Sequence, residues 1–247
     1  MKTLWKNYFL KLVAILVCLP VSSFAYANET PETAIMTEIT LGNNISIASS
    51  LTRNEIISRE SAVKIQTPRG TGSGTYFVFK KKHIVVTAAH VVQSFQEVII
   101  LGQGEENAIA KTILINEKND FAVLLLSGVL ETRSPATLKI GRKSYESLVG
   151  KKIFYTGFPS THSLLTIRGA ISGVEDEFLI LQSYAWSGAS GSGVFDTSGN
   201  FIGTLTGVDI GFFGGSYHLI PAIVWISPAS KIDMNELETV VKSENQL

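Results

Sequence analysis

Cysteine is nearly absent from this chain of 247 residues, which contains Cys18 and no other. A single thiol cannot close an intrachain disulfide, so the fold must depend on packing and hydrogen bonds. Histidine is also scarce, with four residues that form no Cys/His cluster at the spacing of metal ligands. The glycines within residues 70–74 precede a strand pattern, which is the wrong context for a phosphate-binding loop. The sequence therefore predicts no metal and no organic cofactor.

An excess of positive charge is missing as well. The chain has 21 Lys and Arg residues against 21 Asp and Glu residues. A balanced composition provides no extended basic face of the kind that attracts a phosphate backbone. Nucleic acid is therefore not expected as a partner.

The first 27 residues are predicted to be a secretory signal peptide. Three lysines precede or enter an apolar run from Leu10 to Leu19, which is too short for an ordinary membrane span. Ala25-Tyr26-Ala27 then supplies small residues at both cleavage-determining positions. The alternative is an uncleaved anchor, and Val17 before Cys18 disfavours lipid attachment at that thiol.

Cleavage near Asn28 would leave 220 residues with a net charge of −3, without cysteine and without a membrane span. A domain of that size buries roughly 70% of its unfolded surface, enough for a core without disulfides. Export without disulfides favours a bacterial envelope, so we expect a periplasmic or secreted protein.

Residues 28–59 are rich in Thr, Ser, Asn and Glu, and they carry only a weak apolar pattern. We interpret them as a polar, partly flexible leader. The folded domain is expected to span 60–247.

Short runs of β-branched and aromatic residues, separated by Gly, Pro and Asn, follow the leader and predict antiparallel strands. They fall into two groups of six, which predicts an all-β fold of two packed six-stranded antiparallel barrels at about 60–135 and 148–222. A tail at 223–247 has partly helical spacing, interrupted by Pro228, and predicts a short C-terminal helix packed on the second barrel. No further peptide-binding domain is expected after it. The predicted strands are Ala62–Thr67, Thr75–Phe79, His83–Thr87, Glu97–Leu101, Ala108–Ile115, Ala122–Ser127, Lys152–Gly157, Leu164–Gly173, Phe178–Ser183, Gly193–Asp196, Phe201–Gly207 and Ser216–Ile220.

Three residues in distinctive local contexts carry the chemistry. His90 is the last residue of Thr87-Ala88-Ala89-His90. Asp120 directly precedes the apolar run from Phe121 to Leu124. Ser190 lies in Gly188-Ala189-Ser190-Gly191. A base, a carboxylate that orients it and a hydroxyl nucleophile are the parts required for acyl transfer through a covalent intermediate.

These motifs resemble those of the chymotrypsin-fold (trypsin-like) serine peptidases, in particular the bacterial HtrA/Deg-like and glutamyl-endopeptidase-like branches, without a PDZ domain. Gly72-Ser73-Gly74 and Phe201-Ile202-Gly203 add to the resemblance, which extends over residues 62–222. It implies that His90 is the general base, that Asp120 orients it and that Ser190 is the nucleophile. The other three histidines, His83, His162 and His218, are interpreted as structural.

The nucleophile loop contains two other serines, Ser187 and Ser192. Only Ser190 has glycines before and after it in the register of the family pattern, and Ser192 is the second choice. The resemblance implies that the amides of Gly188 and Ser190 form the oxyanion hole. Ala189 stands where digestive enzymes of this fold carry an Asp that binds a newly cut N-terminus, so activation by that ion pair is not expected.

The sequence says less about the substrate pocket than about the three site residues. By analogy the pocket is bounded by Tyr184 and Trp186 and by Thr204 and Thr206, with His218 near its base. The absence of an acidic residue near Tyr184 argues against a preference for Arg or Lys. An imidazole in the pocket would favour Glu or Gln, whereas a structural His218 leaves small or medium uncharged side chains as the expectation.

The sequence thus predicts a serine endopeptidase that acts on proteins or peptides. The alternative is a latent or catalytically silent binding protein that retains the fold. The oligomeric state stays open.

Overall fold

A computed structural model describes residues 50–140, 144–160 and 162–244. The predicted signal peptide and most of the predicted leader lie outside these residues. The elements, numbered in chain order, are α1 (Arg53–Ser61), β1 (Ala62–Thr67), β2 (Gly70–Phe79), β3 (Lys82–Thr87), α2 (Ala89–Val92), β4 (Glu97–Leu101), β5 (Asn107–Asn116), β6 (Phe121–Leu126), β7 (Ala136–Thr137), β8 (Lys152–Gly157), β9 (Leu165–Glu175), β10 (Phe178–Gln182), β11 (Gly193–Asp196), β12 (Phe201–Phe213), β13 (Ser216–Pro228) and α3 (Met234–Ser243). Short 3₁₀ turns occupy Tyr145–Leu148 and Ala229–Lys231.

Two closed six-stranded antiparallel barrels form the molecule, as the sequence predicts. The first follows the order β1-β4-β5-β6-β3-β2 and closes through the β1–β2 pair, with β7 added in parallel to β2. The second closes in the order β10-β13-β12-β11-β8-β9. Closure pairs the edge strands within each barrel, while the outer part of the β12–β13 hairpin extends beyond the second barrel.

Strand β6 shows why some strands are apolar on both faces. Ala122 and Leu124 point into the first barrel, whereas Phe121 and Val123 join a cluster between the barrels. Because alternate side chains of a strand point to opposite faces, a strand buried on both sides reads as a continuous apolar run. In the same cluster, Phe77 of the first barrel meets Phe201 of the second, with ring centroids 5.2 Å apart.

The C-terminal helix α3 forms, but it packs against β5 of the first barrel and the cluster between the barrels, whereas the prediction placed it on the second barrel. Leu237 and Val241 are buried with Phe77 and Phe121. Lys111 on β5 also pairs with Glu244 at 2.8 Å. The partly helical spacing of apolar residues in the tail correctly predicts a helix. The surface on which that helix packs depends on the path of the chain after Pro228.

The hairpin of β12 and β13 is much longer than predicted, since β13 continues to Pro228 through residues that were assigned to the tail. The predicted strands end at Gly207 and at Ile220, just before Pro221. Gly207 instead follows a break in the β12–β13 register, and Pro221 lies in a second irregularity, where the partner changes from Val224 to Ile220. Glycine and proline are tolerated at such bulges.

Residues 53–59, the end of the predicted leader, form most of helix α1, in which Glu55 and Ser58 are buried. Thr52 and Glu55 form a capping box at its start. The buried Glu55 accepts two hydrogen bonds from Arg168 on β9, at 2.5 and 2.9 Å. Asn54 donates to the carbonyl of Thr197. The helix therefore ties the entry of the first barrel to the second.

Candidate active site

His90 and Asp120 are brought together by two neighbouring strands. β3 ends at Thr87 and β6 begins at Phe121, and the register pairs Thr87 with Ala122. His90 follows the end of β3 on the one-turn helix α2, and Asp120 directly precedes β6. Ala88 and Ala89 are almost fully buried, and their small side chains let α2 lie close to the strand ends.

Asp120 contacts two nitrogens of His90. Its Oδ1 accepts from the backbone N–H of His90 at 3.0 Å, and its Oδ2 lies 2.9 Å from the ring nitrogen Nδ1. An ionised carboxylate can only accept hydrogen bonds, so Nδ1 carries the proton and neutral His90 presents a lone pair at Nε2. The pair is sheltered, with 12% of the His90 side chain and 13% of the Asp120 side chain exposed.

Asp120 has a left-handed backbone, with φ of 50°. This conformation is uncommon outside glycine, although Asp and Asn tolerate it better than other residues. The preceding turn is held by the Asn116 side chain, whose Oδ1 accepts from the N–H of Asn119 at 2.9 Å. The turn and the buried strand β6 thus hold the carboxylate in a conformation of some strain.

The pKa of His90 is raised above its ordinary value of 6.5. Burial acts in the opposite direction and disfavours the imidazolium. The negative charge of Asp120 and its hydrogen bond to the ring together outweigh that effect. The site is therefore arranged to stabilise a proton on His90.

Ser190 lies on a tight loop that requires glycine on both sides. Gly188 has φ of +91°, and a Cβ there would lie 2.5 Å from the carbonyl oxygen of Phe158. Gly191 has φ of +88°, and its Cβ would lie 2.0 Å from the carbonyl oxygen of Ser73. The Gly-x-Ser-Gly pattern is thus a steric requirement of this loop.

The hydroxyl of Ser190 is not hydrogen-bonded to His90 in this structure. It donates to the carbonyl of Thr206 at 3.3 Å, while Nε2 of His90 is buried without a hydrogen-bond partner among the described residues. The Asp–His half of the arrangement is assembled, and the His–Ser half is not.

Two amides of the loop, those of Gly188 and Ser190, are oriented by hydrogen bonds to their neighbours. The carbonyl of Ser187 accepts from the N–H of Ser160 at 2.5 Å, and that of Ala189 accepts from the N–H of Ser192 at 3.0 Å. Carbonyl and N–H point in opposite directions in a trans peptide, so these contacts direct the N–H groups of Gly188 and Ser190 away from Ser160 and Ser192. Neither N–H donates a hydrogen bond within the described part of the chain.

Comparison with known proteins concerns the domain as a whole. The family model for the trypsin-like peptidase domain matches residues 72–203, just over half of the chain. The match begins at Gly72 and extends beyond the nucleophile loop.

The chain belongs to the trypsin-like peptidase family.

Curated relatives are distant and longer. Protease Do-like 1 of Arabidopsis thaliana chloroplasts is 29% identical over 158 residues, which cover 58% of this chain and 34% of that protein. An uncharacterised protein of Sinorhizobium fredii, y4bJ, is 24% identical over 145 residues, which cover 55% of this chain and 22% of that protein. The trypsin-like peptidase described here therefore spans about a third or less of the curated relatives it matches.

Solved structures share the fold. An inactive form of Rv3671c from Mycobacterium tuberculosis has a TM-score of 0.60 at 16% identity, covering 89% of this chain and 98% of that one. The serine endoprotease from Yersinia pestis has a TM-score of 0.57 at 19% identity, covering 78% of this chain and 67% of that one.

In this trypsin-like peptidase the predicted pocket residues separate into two groups. Thr204 and Thr206 are buried, whereas Tyr184 and Trp186 are 52% and 40% exposed. The exposed pair stays next to the nucleophile loop, because the carbonyl of Trp186 accepts from the N–H of Ala189 at 3.0 Å. Ala189 itself is fully buried among the apolar side chains of the second barrel. The position at which digestive enzymes of this fold carry an Asp is therefore apolar here.

His218 does not lie at the base of a pocket. It is exposed on the β12–β13 hairpin opposite Gly211, and its ring stacks on Phe213 at 4.1 Å between centroids. Its Nε2 lies 2.7 Å from the hydroxyl of Ser216. The pattern of β13 showed a strand but not how far this strand projects from the barrel.

Two further observations apply to the described residues only. They contain no cluster of three His, Cys, Asp or Glu side chains that could hold a metal ion. None of their helices has the length and apolar character needed to cross a membrane.

Sequence reasoning missed the contribution of Ser73. It belongs to the Gly72-Ser73-Gly74 motif that supported the resemblance, but the motif alone assigns its hydroxyl no role. In the structure Ser73 contacts the nucleophile loop directly.

Proposed function

We propose that this chain is a serine endopeptidase, with Ser190 as the nucleophile, His90 as general base and acid, and Asp120 as the residue that orients His90. The observation that carries the proposal is the state of the imidazole. Nδ1 is bound to the Asp120 carboxylate, and Nε2 is sheltered and free to take a proton.

In the first half of the reaction Ser190 turns from the Thr206 carbonyl towards Nε2 of His90. Its Oγ attacks the peptide carbonyl carbon as His90 takes the hydroxyl proton. The carbonyl oxygen becomes negative and accepts hydrogen bonds from the N–H groups of Gly188 and Ser190. The C–N bond then breaks, and the leaving amine takes the proton from His90.

In the second half a water molecule gives a proton to His90 and attacks the acyl carbon. The ester bond to Ser190 breaks, and Oγ regains its proton from His90. The two halves use the same groups, so no cofactor is required.

The substrates we propose are exported or extracellular proteins or peptides, cleaved after small or medium uncharged side chains. Residues 178–192, which surround Tyr184 in the sequence, include no Asp or Glu that would select a basic side chain. The exposed, Phe213-stacked position of His218 favours a structural role over recognition of Glu or Gln. The export that the N-terminal pattern predicts places this activity in a bacterial periplasm or outside the cell.

A second candidate function is a latent or catalytically silent protease fold that binds other proteins. The hydrogen bond from Ser190 to the Thr206 carbonyl favours it, because the hydroxyl is directed away from His90. A substrate that draws Ser190 from Thr206 would convert the latent arrangement into the active one.

Intact-mass spectrometry after exposure to a fluorophosphonate tests both candidates. The endopeptidase predicts one adduct on the wild type and on Ser192→Ala, and none on Ser190→Ala. Ser192 is the matched control, since its buried hydroxyl has no partner among the described residues. An adduct that persists on Ser190→Ala would overturn the nucleophile assignment, and the absence of any adduct on folded wild type would favour the silent protein.

A further inference from the structure

Ser73 on β2 uses its hydroxyl and its backbone N–H at the junction of the two barrels. The side chain is fully buried, and its hydroxyl donates to the carbonyl of Gly188 at 2.7 Å. The same oxygen accepts from the N–H of Phe158 at 2.9 Å. Its own N–H donates to the carbonyl of Ser190 at 2.8 Å. One residue of the first barrel is thus bound to the nucleophile loop and to the Phe158 segment of the second.

The two carbonyls that Ser73 holds alternate with the two proposed oxyanion donors. The carbonyl of Gly188 belongs to the peptide that directly follows the one carrying the Gly188 N–H. The carbonyl and the N–H of Ser190 are related in the same way. Rotating a peptide plane changes ψ of the residue before it and φ of the residue after it, and the dihedral angles of those same residues also orient the adjacent peptides. Fixing these carbonyls therefore restricts the donors as well.

The opposite sides of the same two peptides are held by the second barrel. The N–H of Ala189 donates to Trp186 at 3.0 Å, and that of Gly191 donates to Leu205 at 2.7 Å. Within the described residues, Ser73 makes the only hydrogen bonds from the first barrel to these two peptides, and the first barrel carries His90 and Asp120. The Ser73 contacts thus link the loop to the barrel that holds the base.

A close approach makes these contacts possible. A Cβ on the neighbouring Gly72 would lie 2.6 Å from a methyl carbon of Val91 and 3.2 Å from the carbonyl oxygen of Ser190. Glycine at this position lets β2 reach both the helix that carries His90 and the nucleophile loop.

We propose that Ser73 is a positioning residue that holds the oxyanion donors in place relative to His90; this inference rests on the proposed function. It does not touch the reacting atoms. Its hydroxyl links the Phe158 N–H to the Gly188 carbonyl in a short hydrogen-bonded chain, and such chains strengthen each member.

Ser73→Ala removes the hydroxyl and leaves the Gly188 carbonyl and the Phe158 N–H without their partner. We expect the rate constant kcat per active site to fall about tenfold, less than for loss of a donor itself. KM should stay within twofold, because the developing oxyanion is absent from the bound ground state. Ser227→Ala is the control, since it deletes an equally buried hydroxyl that has no partner among the described residues.

Two measurements separate positioning from a loss of folded protein. Active sites are first counted by fluorophosphonate labelling at completion, so that kcat with a chromogenic peptide is expressed per folded site. Hydrogen exchange of the 183–194 peptide is then compared with that of β6 in the wild type and in both variants. We expect faster exchange of the 183–194 peptide in Ser73→Ala alone, with β6 unchanged relative to Ser227→Ala.

Unchanged kcat together with unchanged exchange in Ser73→Ala would overturn the inference. A uniform increase of exchange in both segments, with normal kcat per site, would also overturn it, since Ser73 would then contribute to stability alone. If the wild type neither labels nor hydrolyses peptide, the proposed function fails, while the exchange comparison still decides whether Ser73 holds the loop.

Discussion

Asp120 binds His90 through both a backbone and a ring nitrogen, with 3.0 Å from Oδ1 to the backbone N–H and 2.9 Å from Oδ2 to Nδ1. The first contact places the carboxylate relative to α2, and the second sets the imidazole tautomer. Because one carboxylate makes both contacts, its replacement tests charge and orientation together.

Asp120→Asn should lower kcat/KM by about 10³-fold or more, because an amide can donate to Nδ1 and stabilise the wrong tautomer. The thermal unfolding midpoint should change by only a few degrees, since the side chain keeps its shape. Steady-state kinetics with a peptide substrate checks the first expectation and circular dichroism the second. Glu97→Gln, on the exposed surface of β4, makes the same change of charge and should leave kcat/KM unchanged. Equal losses in both variants would exclude a specific role for Asp120.

The raised pKa of His90 predicts the pH dependence of activity. Only neutral His90 can accept the Ser190 proton, so kcat/KM should rise with pH through a value above the ordinary 6.5. In Asp120→Asn the charge that raises the pKa is lost, so the acidic limb of the residual activity should move to lower pH. His162→Gln, at an exposed histidine, should leave the limb in place. A limb at or below pH 6.5 in the wild type would contradict the prediction.

The same pKa shift has a consequence for stability. A folded pKa above the unfolded one means that the folded state binds the proton more tightly. The stabilisation from protonated His90 is therefore fully present below the unfolded pKa, and it is lost as pH rises through the folded pKa. Neutral His90, the form that the proposed mechanism uses, is thus the less stabilised one. Chemical denaturation of the wild type and Asp120→Asn at several pH values can measure this difference.

Glu55→Gln should destabilise the domain near neutral pH by about 2–3 kcal/mol. The hydrogen bond from Arg168 lowers the pKa of Glu55 from 4.5 to about 2, so the stabilisation is present above the unfolded pKa and lost as pH falls through the folded one. Urea unfolding at pH 7, 4.5 and 2.5 should show the variant and wild type converging in acid. Glu60→Gln, exposed on the same helix, should match wild type at every pH. A constant difference across this range would indicate that packing, and not charge, is lost in Glu55→Gln.

Gly188→Ala should abolish fluorophosphonate labelling, because the new Cβ would meet the Phe158 carbonyl and the backbone would be strained at φ of +91°. Gly104→Ala separates the two causes, since Gly104 has φ of +67° but no atom within 4 Å of the added carbon. We expect Gly104→Ala to cost about 1–2 kcal/mol of stability and to label normally. Normal labelling of Gly188→Ala would show that the loop geometry is not required for reaction of Ser190.

The sequence by itself determined the two barrels and the three candidate site residues. Alternating and continuous apolar runs indicate how many faces of a strand are buried, and the two predicted groups of six strands were confirmed as closed barrels. His90, Asp120 and Ser190 could be selected because each lies in a short pattern set by local sterics, such as the two glycines around Ser190. Their catalytic roles stay predictions until the variants are measured.

Only the tertiary structure decided which surfaces meet. The spacing of Leu237 and Val241 predicts a helix. The packing of that helix against the first barrel depends on the long strand β13, which sets where the helix begins. The hydroxyls of Ser73 and Ser190 have no periodic signature, so their bonds to Gly188 and Thr206 could not be inferred from residue order. Apolar patterns record burial along the chain, whereas hydrogen bonds between distant segments depend on distances that only the folded chain sets.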